Sequence, residues 1–301
     1  MLKKNTVLSY IGLFVVTIIW GYAFVVVKSS LDAVPPVYML AFRFTIASVG
    51  LLIIFRKKLK LIDKGYILSG ALIGAVLFLA YLVQTIGIRY TTAGKNAFLT
   101  TTYVIIVPFL YWAAYKKNPG KYAVIAAFMA ITGIGLLSLK NNFTINLGDT
   151  LSLLSGLGYA VHIFFVGKIT QKRDPVLLTV LQLSAAAVFS WITAPLIDGS
   201  FPVTVFEKSA IISMLYLGLF STMAALLLQN VCQKYTSPST AALIMSLESV
   251  FGVLFSVLIL SEELSFKMIC GCSLIFAAII LSETRLSFFR SKTKRKTSAP
   301  K

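Results

Sequence analysis

Charged residues are scarce in this sequence, and acidic residues are the scarcest of them. Asp and Glu together number 10 in 301 residues, and all charged residues make up 13% of the chain. A soluble globular domain carries charge on about a quarter of its residues. Because 58% of the residues are hydrophobic, the composition excludes an ordinary soluble domain and predicts an integral membrane protein.

Cysteine and histidine are also rare, and common catalytic motifs are missing. The three cysteines, Cys232, Cys270 and Cys272, lie in apolar segments without the spacing of a zinc site. The sequence has no Walker loop, HExxH motif or G-x-S-x-G motif, and no Ser/His/Asp set. We therefore expect no enzyme activity, no cofactor and no bound metal ion.

Long apolar stretches separated by short polar segments predict ten transmembrane helices. A helical span needs about 20 apolar residues, whereas barrel strands would alternate over about ten. The first stretch begins like a signal peptide, but it is too long for one and lacks a small-residue cleavage site. The predicted spans are residues 7–27, 36–55, 65–88, 96–115, 122–139, 148–166, 176–197, 210–232, 238–260 and 266–282.

The basic residues are distributed unevenly between the two sides of the predicted membrane. With the N-terminus inside, 21 of the 28 Lys and Arg residues fall on the inner side, six on the outer side, and Arg43 within a span. This bias predicts that both termini are cytoplasmic. It also accounts for the net charge of +18 without nucleic acid, since the chain shows no basic stripe interleaved with aromatics.

Residues 80–103 and 225–248 resemble each other at an offset of 145 positions. Six of the 24 aligned pairs are identical, among them Gln84 with Gln229. Gly21-Tyr22-Ala23 likewise matches residues 158–160, and with a two-residue gap Arg43 aligns with Gln182. The chain therefore divides into two five-helix repeats, 1–145 and 146–284, and a basic cytoplasmic tail, 285–301.

Five helices per repeat is an odd number, so the second repeat enters the membrane from the opposite side. We thus predict an all-α integral membrane protein of ten transmembrane helices in two inverted five-helix repeats. Inverted repeats are typical of secondary transporters, which bind their solute near the middle of the membrane.

Several stretches resemble one known family. They are Tyr235-Thr-Ser-Pro-Ser-Thr-Ala-Ala-Leu-Ile-Met-Ser-Leu-Glu-Ser-Val, Glu262-Glu-Leu-Ser, Trp20-Gly with Phe24, Arg43-Phe, and residues 90–97 leading to Pro108. Together they resemble the EamA family of the drug/metabolite transporter superfamily, over two copies of its pattern. The resemblance implies a ten-helix carrier of metabolites or amino acids, commonly an exporter. Ser249 stands where that family usually has proline, so a hinge there would be stiffer or supplied elsewhere.

Glu248 and Arg43 are the charged candidates for solute binding. Polar groups within a span are costly and usually functional. Glu248 lies deep in the predicted ninth span and Arg43 in the second, at similar depth. Glu248 could bind an ammonium group or a proton, and Arg43 a carboxylate. Alternatively, the two residues pair and hold their helices together.

Four aromatic residues are candidates for the lining of an amphipathic cavity: Trp20, Tyr22, Tyr103 and Tyr159. Aromatic residues often anchor the ends of spans at the membrane interface, but these lie further in. Tyr103 aligns with Glu248 across the repeat, which favours a position for both near a shared axis.

The remaining candidates are polar or conformational. Gln182 and His162 are predicted to contact solute, although a lone histidine also packs as a neutral core residue. Gln84, Gln229 and Pro108 are predicted to act in gating or in helix packing. Gly70 and Gly74 form a GxxxG pattern, which predicts close helix packing.

The sequence therefore predicts a secondary transporter, with export favoured, for small metabolites such as amino acids. The alternatives are a passive channel, an uptake carrier, or a membrane-embedded protein that modifies lipid. The expected partners are a small solute and the lipid bilayer, and Glu248 permits proton coupling without requiring it. We expect a multi-pass protein of the cell membrane that is a monomer or a weak homodimer.

Overall fold

The computed structural model describes residues 4–284, apart from 117, 119 and 139–144. Its α-helices, α1 to α13 in chain order, are Lys4–Ser30, Pro36–Ile54, Lys64–Arg89, Ala93–Thr100, Tyr103–Tyr115, Lys121–Ser138, Leu147–Ile169, Pro175–Ile197, Lys208–Leu215, Ala225–Gln233, Pro238–Met245, Glu248–Leu260 and Phe266–Thr284. Two 3-10 helices, Arg56–Leu61 and Val203–Phe206, and a π-helical segment, Tyr216–Ala224, complete the helical part. The predicted basic tail, 285–301, lies outside the described residues.

Within the described residues, eight helical stretches are long and apolar enough to cross a membrane. Three of these stretches combine consecutive helices: α4 with α5, α9 with the π-helical segment and α10, and α11 with α12. Two further apolar stretches, Val124–Leu136 in α6 and Phe266–Ala278 in α13, are shorter. The architecture is that of an all-helical, multi-pass membrane protein, in agreement with the composition.

Proline begins α2 and α8, two helices that the internal repeat pairs. Pro36 and Pro175 occupy the first turn, where the missing N–H would have no helical partner anyway. Asp174 caps α8 by accepting a hydrogen bond from a backbone N–H of that helix at 2.7 Å. Asp198, which follows α8, accepts hydrogen bonds from two backbone N–H groups of α2 at 2.7 and 3.1 Å.

Two spans are interrupted at positions that are equivalent in the repeat. Thr101 and Thr102 separate α4 from α5, and Ser246 and Leu247 separate α11 from α12. The Thr102 and Ser246 hydroxyls each donate to the carbonyl oxygen three residues earlier, at 2.7 Å, and such local bonds compete with helical ones. The span containing Ser249 is therefore broken without the proline of the resembling family.

The GxxxG pattern of α3 packs closely against α8, which confirms that prediction. A Cβ atom at Gly70 would lie 2.3 Å from Cβ of Leu181, and one at Gly74 would lie 2.6 Å from the carbonyl oxygen of Gln182. Buried apolar side chains form separate clusters around these helix contacts. Residues of all three clusters line the molecule's central cavity.

One end of the molecule, here called the Asp174 end, joins the α2–α3 loop to the α7–α8 loop. Lys58 Nζ lies 2.9 Å from Asp174 Oδ2, and Arg173 Nη1 lies 3.1 Å from Asp63 Oδ1. The Arg173 guanidinium also stacks over the ring of Tyr66, 4.5 Å from its centroid. Burial alone would raise the pKa of Asp174, but hydrogen bonds from Lys58 and from backbone N–H groups outweigh burial and lower it. Asp174 therefore remains ionised and paired at neutral pH.

The opposite end, here called the Glu262 end, is held by contacts with backbone groups. The Glu262 carboxylate accepts hydrogen bonds from the N–H groups of Ala93 and Gly94, at 2.7 and 3.1 Å. A carboxylate is favoured at this position because the N-terminus of a helix carries partial positive charge. Lys28 Nζ donates to the carbonyl oxygens of Ile88 and Thr91, at 2.8 and 2.7 Å, where α3 ends. The loop between α3 and α4 is thus fixed by two charged side chains.

Candidate functional site

A central cavity brings together most of the residues that the sequence predicted. Its empty space is about 600 Å³ including the part open to solvent, and the centres of water molecules can reach about 50 Å³ of it. Its polar and aromatic lining residues are Trp20, Phe24, Arg43, Tyr81, Gln84, Thr85, Tyr103, Tyr159, His162, Ser221, Gln229 and Glu248. Both halves of the chain therefore contribute to one site.

Glu248 and Tyr103 form a direct contact across the two halves. The Tyr103 hydroxyl donates to Glu248 Oε1 at 3.1 Å, between residues 145 positions apart. The two side chains are 2% and 5% exposed, for Tyr103 and Glu248 respectively. They occupy the first positions of α5 and α12, immediately after the two helix breaks. The breaks thus place one acidic and one phenolic group at equivalent positions in the cavity wall.

Arg43, on α2, is held by neutral groups. Its Nε donates to Thr222 Oγ1 at 2.8 Å and its Nη2 donates to Ser221 Oγ at 2.9 Å. Its guanidinium carbon lies 4.7 Å from the centroid of the Tyr81 ring, a cation–π distance. In the described residues no carboxylate oxygen lies within 4.0 Å of Arg43. Arg43 and Glu248 therefore line the same cavity without forming an ion pair.

The π-helical segment explains how two consecutive residues can hold Arg43. Ser221 and Thr222 lie within Tyr216–Ala224, where the wider helix changes the direction of the side chains relative to an α-helix. Trp20 Nε1 donates to the carbonyl oxygen of Ser221 at 2.9 Å. Segments of π-helix are frequent at functional sites. Here the segment packs against α1 and α2.

A second group of hydrogen bonds joins other residues of the cavity wall. The Tyr159 hydroxyl donates to Gln84 Oε1 at 2.8 Å, and Gln84 Nε2 donates to Thr100 Oγ1 at 3.3 Å. The rings of Tyr81 and Tyr159 lie edge to face, with centroids 5.3 Å apart. Gln229 Oε1 is buried and has no hydrogen-bond partner in the described residues. Gln229 therefore offers a free acceptor toward the cavity.

His162 and Gln182 form a buried pair between α7 and α8. His162 Nε2 lies 3.0 Å from Gln182 Oε1, and the two side chains are 1% and 0% exposed. His162 lines the cavity, whereas Gln182 does not. Gln182 therefore contacts His162 from outside the cavity lining.

Two other predicted residues lie away from the cavity lining. The ring of Tyr22 packs against the rings of Tyr216 and Phe255, with centroids 5.0 and 5.6 Å apart. Pro108 lies inside α5, and neither residue is part of the cavity wall.

Sequence reasoning missed Tyr81, Ser221 and Thr222. Tyr81 lies three residues before Gln84, so the two share a helix face, which is a signal that could have identified it. Ser221 and Thr222 form a polar pair in the middle of the predicted span 210–232. A polar pair of that kind could also have been selected, but its direction depends on the π-helical segment.

The known proteins that this sequence resembles include transporters, and the similarity extends over most of the chain. The sequence profile described as the EamA-like transporter family matches residues 7–139 and 146–284. An uncharacterized transporter of Archaeoglobus fulgidus is 36% identical over 279 residues, covering 92% of this chain and 86% of the relative. The uncharacterized transporter YoaV of Bacillus subtilis is 23% identical, covering 90% of this chain and 95% of the relative.

Two further matches also cover most of this chain. A WAT1-related chloroplastic protein of Arabidopsis thaliana is 23% identical, covering 87% of this chain and 66% of the relative. One solved crystal structure superposes with a TM-score of 0.68 at 14% identity, covering 92% of this chain and 98% of the other, which shows a shared fold. The profile matches nearly the whole chain, and the chain belongs to the EamA-like transporter family of membrane proteins.

Proposed function

We propose that this protein is a secondary-active carrier that exports small amphipathic metabolites, such as amino acids, across the cell membrane. The observation that carries the proposal is the shared cavity of Arg43 and Glu248, which bind neutral groups instead of each other. A cavity with a cation at one wall and a carboxyl group at another matches a solute that carries both kinds of charge. The aromatic side chains Trp20, Tyr81 and Tyr159 would contact the apolar part of the solute.

The architecture that supports this function is ten spans in two inverted repeats, with both termini in the cytoplasm. The contact between Tyr103 and Glu248 joins equivalent positions of the repeats. Helix packing supports the same symmetry: α1 packs against α12 and α7 against α5, while α2 packs against the π-helical segment and α8 against α3. The excess of Lys and Arg on one side favours cytoplasmic termini.

Alternating access would depend on the contacts that the two halves make at each end of the molecule. Loops of the two halves contact each other at the Asp174 end through Lys58–Asp174 and Arg173–Asp63. At the Glu262 end, Glu262 of the second half binds the start of α4 in the first. Opening one set of contacts while the other stays closed would expose the cavity to one side at a time. Solute would shift the population only through different affinities for the two states.

Transport by purified protein in proteoliposomes tests the proposal. Counterflow of labelled amino acids should saturate with concentration, because a carrier binds its solute in each cycle. Glu248→Gln and Arg43→Gln should each reduce saturable counterflow by roughly tenfold or more, since hydrogen bonds to charged groups contribute about 1.5–3 kcal/mol each. Glu263→Gln and Arg56→Gln, at exposed loop positions, are charge-matched controls.

Different results would overturn different parts of the proposal. Normal counterflow in both cavity variants would show that Glu248 and Arg43 do not bind solute. Rapid, unsaturable equilibration would instead identify a passive channel. Net accumulation in inside-out vesicles, compared with right-side-out vesicles, would separate export from uptake.

A further inference from the structure

A second pocket, lined by basic residues, lies at the Asp174 end and shares no lining residue with the central cavity. It is formed where α5 and α7 end and where α10 leads into α11, and it contains about 1080 Å³ of empty space, part of it open to solvent. Lys168, Lys172 and Lys234 line it, and its lining contains no acidic residue. We name this feature the lysine pocket.

The three lysines of the lysine pocket lack ionic partners. In the described ranges, no carboxylate oxygen lies within 4.0 Å of any of their ammonium groups. Other basic residues at the same end, Lys58 and Arg173, are paired with aspartates. The lysine pocket therefore gathers unneutralised positive charge around one concave surface.

A buried polar atom also faces the lysine pocket without a partner. Thr236 is 7% exposed, lines the pocket, and its hydroxyl oxygen makes no hydrogen bond in the described structure. An orphaned buried hydroxyl costs free energy unless a ligand or water binds it. The Gln171 side chain holds the pocket together by donating to the carbonyl oxygen of Lys234 at 3.3 Å.

We propose that the lysine pocket binds the phosphate group of an anionic phospholipid. Three ammonium groups and one hydroxyl are suitable donors to phosphate oxygens, and basic pockets between helix ends bind acidic headgroups. The source is lipid because exposed aromatic side chains surround the site. Trp112, Tyr115 and Tyr235 are 48%, 45% and 45% exposed, as expected at the level of the headgroups.

Lipid titration of the purified protein in neutral detergent tests this assignment. Phosphatidylglycerol should raise the apparent unfolding temperature more than phosphatidylcholine does, because a ligand of the folded state stabilises it. In the variant K168Q/K172Q/K234Q that difference should disappear. The variant's apparent affinity for phosphatidylglycerol should fall on the order of a hundredfold, since each lysine near an anionic surface contributes roughly a fivefold factor.

A matched control has the same change of charge at the same end of the molecule. Lys57, Lys60 and Lys64 are exposed, lie outside the lysine pocket, and K57Q/K60Q/K64Q should keep the full phosphatidylglycerol effect. If the pocket variant does not fold, the single change Lys172→Glu, at an exposed position, should still weaken phosphatidylglycerol binding.

Three results would overturn the assignment. An absence of any lipid-dependent difference in the wild-type protein would show that no site exists. Equal losses in the pocket variant and its control would show diffuse charge attraction instead of a site. An equal shift with soluble glycerol phosphate would show that the pocket takes a free anion instead of a lipid.

Discussion

Single residues of the central cavity show how charge is held inside a membrane protein. Glu248 accepts one hydrogen bond, from Tyr103, and Arg43 is bound by two hydroxyls and an aromatic ring. Burying a charge without compensation is expensive. Neutral partners reduce that cost but leave both groups available to a solute, whereas a direct ion pair would have to be broken first.

Tyr103→Phe should lower the stability of the protein by about 1–3 kcal/mol, the typical cost of an unsatisfied buried polar group. The substitution removes the hydroxyl that donates to Glu248 and leaves the ring volume almost unchanged. Tyr22→Phe is the control for the loss of a tyrosine hydroxyl, because the Tyr22 hydroxyl makes no hydrogen bond in the described structure and its ring packs against Tyr216 and Phe255. The apparent unfolding temperature in detergent measures both. Equal shifts in the two variants would show that the bond to Glu248 does not contribute.

Helix contacts position these residues, and small side chains allow the helices to approach. A Cβ atom at Gly21 of α1 would lie 2.3 Å from Cβ of Phe251 on α12. That distance is far below a normal contact, so α1 and α12 pack directly against each other at this level. The same two helices carry Trp20 and Glu248 into the cavity wall.

Gly21→Ala should therefore separate α1 from α12 and destabilise the protein by about 1–3 kcal/mol, as overpacking of a well-packed core does. Gly50→Ala is the control, because its Cβ atom would meet the sulfur at the end of the flexible Met223 side chain, at 2.6 Å. Both substitutions replace glycine with alanine inside a helix, which favours the helix by roughly 1 kcal/mol in each variant. The difference in stability between the two variants therefore reports packing. Thermal unfolding of the two variants side by side measures it, and a Gly21→Ala protein as stable as Gly50→Ala would contradict the contact.

At the scale of the whole molecule, the two halves of the chain contact each other at both ends. The Glu262 end depends on one carboxylate that binds two backbone N–H groups. The Asp174 end has two ion pairs and a cation–π contact, although exposed ion pairs contribute little each.

Glu262→Ala should shift the population toward a state open at the Glu262 end. A cysteine at Val27, a buried residue of the cavity wall, would report opening in a background without the three native cysteines. Its rate of maleimide labelling in detergent should rise on the order of tenfold, because hydrogen bonds to a charged group contribute about 1.5–3 kcal/mol. Glu263→Ala removes the neighbouring exposed carboxylate and should leave the rate unchanged. An unchanged rate in Glu262→Ala as well would show that this carboxylate does not hold the end closed.

The sequence predicted the helical membrane architecture because few backbone structures are stable in lipid. Backbone groups in a membrane must bond within the segment, so the long apolar runs had to become helices, and their bounds agree with the structure within a few residues. The repeat at an offset of 145 also placed Tyr103 and Glu248 at equivalent positions before their contact was known.

Tertiary structure alone decided which polar residues meet. The sequence left two interpretations of Arg43 and Glu248, solute binding or a pair with each other. The packing of α2 against the π-helical segment provides Ser221 and Thr222 as partners for Arg43 instead. The helix breaks at Thr101–Thr102 and Ser246–Leu247 aim Tyr103 and Glu248 into the cavity, while Tyr22 and Gln182 face elsewhere. A residue's depth follows from its position along a helix, but its direction follows from local backbone irregularities and neighbouring helices. Apolar runs therefore determine the fold, and the contacts between helices determine the site.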